Sequence, residues 1–259
     1  MGDEHAGAGR AEPENAELVR LLWGPHPKPT RGPRPKLDLD RIARAAIEIA
    51  DSEGLAEVSM QRVAAQVGVT KMALYRYVPG KAELVALMVE AAIGPYPAAA
   101  EGGVRGDGWR ERLEEWARRL IAAFLRHPWT LDATIGPRVP GPGELSWMEH
   151  VISALDGTGL TGAERMDAAV LLVSHARGIG QQARAAGPAG RPEAQLGAVL
   201  GELMRTHGER FPALTAALAS AAGPGGQDQA WEFGLQRILD GLAVLIDQRA
   251  RHPHDQRER

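Results

Sequence analysis

Among its 259 residues the chain has no cysteine. That excludes a disulfide framework, thiolate zinc sites and a cysteine nucleophile, and it accords with a reducing compartment. Aromatic residues are scarce, at 5%, so any core must be built mainly from aliphatic side chains. No run approaches the roughly 18 consecutive apolar residues of a membrane span, and the first thirty residues lack the apolar centre of a signal peptide. Together these absences predict a soluble, cytoplasmic protein. The alternating pattern of a half-buried strand is also missing, so the expected class is all-α. Catalytic signatures are absent as well: no HExxH, GxSxG, P-loop or paired-carboxylate arrangement stands out. The eight histidines form no close ligand pair outside the terminal His252 and His254, which argues against a metal site. Gly178-Ile-Gly180-Gln-Gln-Ala183 imitates part of a dinucleotide fingerprint, but it lies inside a helical run with no strand before it. No cofactor and no enzymatic activity are expected.

What is present is an ordinary globular composition, 44% hydrophobic and 24% charged, in a chain long enough for two domains. Residues 1–37 read as a flexible extension: an acidic, Ala- and Gly-rich start, an apolar patch at Leu18, Val19, Leu21, Leu22 and Trp23, and then His26 to Lys36. That last segment carries four prolines and the cations Lys28, Arg31, Arg34 and Lys36 without an acid. It serves either as a plain linker or as an arm lying along DNA. From Leu39 the period turns helical, and residues 38–94 contain four short helices. Their punctuation is plain: Asp38 or Asp40, Ser59 and Thr70 as N-caps, and Gly54, Gly68 and Pro79-Gly80 as breaks. The third of them, the recognition candidate, is expected to run through Tyr77. Gly94 to Gly108 is the expected joint, and residues 106–250 form a second helical domain. Its periodic stretches are Trp109 to Leu125, Glu144 to Leu155, Ala163 to Ala186, Glu193 to Thr206 and Gln229 to Arg249.

The net charge of -3 says little about nucleic acid, because binding needs only one basic face. Residues 59–81 hold Arg62, Lys71, Arg76 and Lys81 and no acid, whereas residues 38–57 hold six acids against Arg41 and Arg44. Two short helices joined by a tight turn at Gly68, with cations and hydroxyls on the second, are the parts of a helix-turn-helix. Three stretches carry a family resemblance. They are Ala-Ala-Ile-Glu-Ile-Ala-Asp-Ser-Glu-Gly-Leu at 45–55, Val-Ala-Ala-Gln-Val-Gly-Val at 63–69 and Leu-Tyr-Arg-Tyr-Val-Pro-Gly-Lys-Ala-Glu-Leu at 74–84. In order, and without gaps, they resemble the TetR family of regulators over about 55 residues. Beyond Gly94 the likeness is weaker and resembles the C-terminal domains of tetracycline-repressor-like proteins.

The resemblance implies a homodimer on a palindromic operator in double-stranded DNA, released by a small-molecule effector held in the C-terminal domain. By position it gives Lys71, Met72 and Ala73 to base edges, and Ser59, Gln61, Thr70, Tyr75, Tyr77 and Lys81 to phosphates. Arg62 and Arg76 add charge to the same segment. Hydroxyls and lysines suit phosphate oxygens, and a lysine can also donate to guanine. Tyr75 and Tyr77 have packing between helices as their alternative role, and Arg62 a solvated helix face. Leu74 and Val78 belong to the core.

Further on, Trp109, Trp116, His127, Trp129, Trp147, His150, His175, Arg177 and Gln181 are the side chains able to build an apolar effector pocket with polar anchors. Core packing or a dimer interface would use the same residues. The stretches at 163–186 and 229–249 are the expected dimer helices. An activator, a ligand-independent DNA-binding protein, or a helical enzyme or carrier are the rival functions.

Overall fold

The computed structural model describes residues 8–24, 37–97, 108–187, 192–221 and 229–251. They form twelve α-helices in the order α1 (Ala8–Trp23), α2 (Leu39–Glu53), α3 (Met60–Val67), α4 (Lys71–Tyr75), α5 (Lys81–Ile93), α6 (Trp109–Arg126), α7 (Thr130–Ala133), α8 (Pro142–Ala154), α9 (Gly162–Ala186), α10 (Pro192–His207), α11 (Pro212–Ala221) and α12 (Ala230–Arg251). No strand occurs among the described residues, in keeping with the all-α expectation. No helix among them is long and apolar enough to cross a membrane.

Two compact units emerge. The first takes Met1–Gly103 and His127–His150, the second Val104–Arg126 and Val151–Arg259. In the first, the caps read from the sequence are in place. The Asp38 carboxylate accepts from the Arg41 amide at 2.7 Å, and the Ser59 and Thr70 hydroxyls accept from the Arg62 and Ala73 amides. Each such cap is worth about 1 kcal/mol. Behind them Ile42, Ala46 and Ile49 of α2, Val63 and Val67 of α3, Leu74, Val78, and Leu84 and Met88 of α5 close one core. Each large side chain fully buried there contributes about 1.5–3 kcal/mol.

Two features of this unit depart from the sequence expectation. Ala8–Trp23 is helical and packs against α5 with Leu22 buried, so the apolar patch of the extension is a docked element rather than part of a flexible tail. The indole of Trp23 also donates to the Pro140 carbonyl at 3.1 Å. The basic segment 26–36 lies outside the described residues. Second, Trp129 sits in the same core as α2 and α5, and its indole N–H donates to the Asp51 carboxylate at 2.8 Å. His127 Nδ1 reaches the same carboxylate at 2.9 Å.

The second unit is built on α6, α9 and α12, which pack against one another. Leu113, Trp116, Leu120 and Phe124 of α6 meet Ala169, Leu172 and Ala176 of α9 and Leu235 and Leu239 of α12 in its interior. A reciprocal capping box opens α9, in which Thr161 and Glu164 satisfy each other's backbone N–H. The Arg249 guanidinium, together with the Thr161 amide, holds the Glu164 carboxyl below the ordinary carboxylate range. Besides α1, the sequence reading passes over two helices, α7 of the first unit and α11 of the second. The latter starts with proline at its first position and is alanine-rich with no polar stripe, so propensity rather than amphipathic period makes it helical.

Candidate nucleic-acid interface

The chain between α3 and α4 is set by Gly68, whose φ of 75° is left-handed, and by its amide, which bonds back to Ala64 and Ala65. Only glycine takes that conformation without cost. The Gly68→Ala protein is therefore expected to lose about 1–2 kcal/mol and to unfold at a lower temperature in a calorimetric scan. An unchanged midpoint would show that the turn relaxes into another conformation.

Held by this turn, α4 buries Leu74 while Met72 stands 74% exposed beside the exposed Lys71. The Lys71 ammonium lies 5.7 Å from the Tyr75 ring centre, within cation–π range. Tyr75 itself is half-buried against the core, and Tyr77 is exposed. Gln61, Thr70, Arg76 and Lys81 are exposed, while Ser59 and Ala73 are half-buried. A short helix thus presents Lys71, Met72, Ala73 and flanking hydroxyl and cationic groups from a rigid three-helix support. That combination offers donors for phosphate and for base acceptors, with an apolar Met72 suited to a thymine methyl.

Arg62 is placed differently from its neighbours in sequence. Its guanidinium pairs with Glu53 and, at 3.0 Å, with Glu57, and these two carboxylates, Glu53 foremost, raise its pKa. A cation in an acid-free segment is thereby neutralised by acids of the preceding segment. Its role in the free protein is to tie α3 to the end of α2. Gln66 makes a parallel tie, donating to Glu48 at 2.7 Å.

The nine pocket candidates divide between the units. Trp109, Trp116, His175, Arg177 and Gln181 lie in the second, and His127, Trp129, Trp147 and His150 in the first. Trp116 is buried, Trp109 half-buried and Gln181 exposed. The His175 ring stacks on Trp231 with centroids 5.1 Å apart, and its Nε2 donates to the Trp231 carbonyl at 2.9 Å. Gly234 makes room for it, since a Cβ there would stand 2.3 Å from the imidazole. Arg177 lies over the Phe124 ring at 5.4 Å. In the first unit, Trp147 donates to the Gly94 carbonyl at 3.0 Å, and His150 stacks on Tyr96.

Sequence reasoning missed two polar anchors. One is Asp51, which gathers His127 and Trp129. The other is Glu90 of α5, whose carboxylate accepts from the Gly143 amide at 2.7 Å and so caps α8. Neither has a local signal, because each partner lies more than fifty residues away in the chain.

A helix-turn-helix with an open, cationic second helix, joined to a separate all-helical unit, defines a DNA-binding transcriptional regulator. Comparison with known proteins gives the family. Residues 42–88 match the model of bacterial regulatory proteins of the tetR family, and residues 103–246 that of the tetracyclin repressor-like C-terminal domain. The HTH-type transcriptional repressor DrrR1 of Streptomyces coeruleorubidus is 38% identical over 240 residues, covering 90% of this chain and 87% of that protein. Among solved structures, apo ActR of Streptomyces coelicolor aligns with a TM-score of 0.68 at 25% identity, over 83% of this chain and 99% of its own. ActR in complex with (S)-DNPA aligns at 0.65 and 26% identity, over 81% and 98%. The chain belongs to the TetR family: it is a DNA-binding transcriptional regulator and not an enzyme.

Proposed function

We propose that the protein is a repressor that binds a palindromic operator as a homodimer and releases it when a small molecule occupies the second unit. The observation that carries the DNA half is the exposed edge of α4, with Lys71 and Met72 open to solvent on a turn fixed by Gly68. Lys71, Met72 and Ala73 read base edges. Thr70, Tyr77, Arg76 and Lys81 take phosphates, with Ser59, Gln61 and Tyr75 at the margin of the same surface. Arg62 contributes by holding α3 in place.

For the dimer, α9 and α12 leave Met166, Val170, Phe233 and Val244 exposed at 45–65%, an apolar surface that a second copy would cover. For the effector, the candidates that share the second unit are Trp109, Trp116, His175, Arg177 and Gln181, side chains of the types that wall and anchor small-molecule sites. ActR, a relative at 26% identity, is solved in complex with (S)-DNPA, which supports a small-molecule effector for this chain.

Selection from a random DNA pool is expected to return an inverted repeat with half-sites one helical turn apart, or a multiple of that spacing. On the selected site Lys81→Ala should bind more weakly, with the slope of log affinity against log salt reduced by about 0.9 for one lost phosphate contact. An asymmetric selected site would overturn the dimeric reading. An unchanged slope would remove Lys81 from the interface. Titrating a confirmed ligand into free protein and into the operator complex tests release, since equal affinities would mean that the ligand does not regulate DNA binding.

A further inference from the structure

Arg62 lies in the first turn of α3, and its amide is held by the Ser59 hydroxyl that caps the helix. Its neighbour Val63 is fully buried, so the backbone of that turn is fixed. Facing it, the chain leaves α2 at Glu53 and bends through Gly54, whose positive φ of 96° suits glycine. One tight turn, Leu55–Glu57, follows before the fully buried Val58 pins the chain again. The bend thus brings two carboxylates from successive elements to a single guanidinium. One terminal nitrogen of Arg62 donates to Glu53 and the other to Glu57 at 3.0 Å.

This pairing occupies both prongs of the fork with which an arginine grips a phosphate. Two carboxylates against one guanidinium also leave the group negative, beside Ser59 and the exposed Gln61. Lys71, Arg76 and Lys81 of the same acid-free segment stand exposed by contrast. Duplex DNA of any sequence attracts cations through its phosphates and gains by releasing counterions. A guanidinium already answered by two carboxylates displaces no counterion and adds nothing to that attraction.

We propose that Glu53 and Glu57 are positioning residues for DNA binding: they hold the Arg62 fork away from the phosphates, in the complex as in the free protein. The general affinity of the reading head thereby stays below what its cations allow. The proposal rests on the reading of α3 and α4 as the DNA surface. Its consequence is for release, because sequence-independent attraction is what a regulator must overcome to leave the many non-operator sites.

The test measures binding of a labelled duplex of arbitrary sequence, and of the selected operator, by fluorescence anisotropy over a series of salt concentrations. Glu53→Gln with Glu57→Gln keeps the side-chain shapes but substitutes neutral amides, against which a charged phosphate wins the guanidinium. This double variant should bind both duplexes more tightly, with the slope of log affinity against log salt steeper by about 0.9, one phosphate contact. Its advantage over the unmodified protein should shrink about 3-fold between about 50 and 200 mM salt. Adding Arg62→Gln to the pair should return the slope to the unmodified value, and Arg62→Gln alone should leave it unchanged. Arg62→Met, which retains the packing of the stem, takes its place should circular dichroism show Arg62→Gln unfolding. A slope reduced by about 0.9 in Arg62→Gln alone would put Arg62 on a phosphate already and overturn the proposal. An unchanged slope in the double variant would overturn it by placing the freed guanidinium out of reach. A steeper slope that survives the added Arg62→Gln would mean that the carboxylates act by direct repulsion and not through Arg62. Lys81→Ala on the same duplexes separates these failures from that of the DNA surface, since an unchanged slope there would remove the surface itself.

Discussion

Replacing Trp129 with alanine is expected to destabilise the DNA-binding unit by about 3–5 kcal/mol. The ring is 4% exposed and closes the core made by α2 and α5. Its removal leaves a cavity that surrounding helices cannot collapse to fill, and it also strips the Asp51 carboxylate of one of its donors. Trp129→Phe keeps a six-membered ring in the core but loses the N–H together with the rest of the fused five-membered ring. That variant should cost about 1.5–3 kcal/mol, the net worth of one hydrogen bond to a charged group plus a small cavity. Urea unfolding followed through the remaining tryptophans measures both. If Trp129→Ala lost less than about 1 kcal/mol, the segment after α6 would not be part of this core.

Phe233→Glu is expected to give a monomer in sedimentation and to lower operator affinity by at least about 100-fold. A single reading head then contacts one half-site, and specific complexes at about 10⁻⁸–10⁻¹¹ M rely on both. In the single chain Phe233 is 65% exposed on α12, so a carboxylate there costs the isolated fold little. Buried in an apolar interface between two copies, it would be an unpaired charge twice over, once for each protomer. Unchanged circular dichroism with loss of the dimer is the expected combination. A variant that stayed dimeric and bound its operator normally would exclude the α9–α12 surface as the interface.

Much of the first unit is legible because helices are specified locally. The caps at Asp38, Ser59 and Thr70 and the left-handed turn at Gly68 each concern backbone groups within a few residues. The inward faces follow from a period of 3.6, which puts Leu74 and Val78 in the core, where both are fully buried. The recognition candidate ends at Tyr75 rather than Tyr77, a difference of two residues at a frayed terminus. Where period was weak, as in the alanine-rich α11 or the four-residue α7, the elements went unread.

By itself, then, the sequence determined the all-helical class, the helix-turn-helix with its caps and its exposed cations, and the family to which the chain belongs. Tertiary structure alone decided that Arg62 spends its charge on Glu53 and Glu57, that Trp129 completes a core 78 residues away from its Asp51 partner, and that α1 docks on α5. The reason is the range of the interactions. Caps and helical periods join groups three or four residues apart, so they can be read along the chain. The partner of a distant carboxylate or indole is chosen only when whole helices pack, because the burial and geometry that make one pairing favourable do not exist until the core has closed.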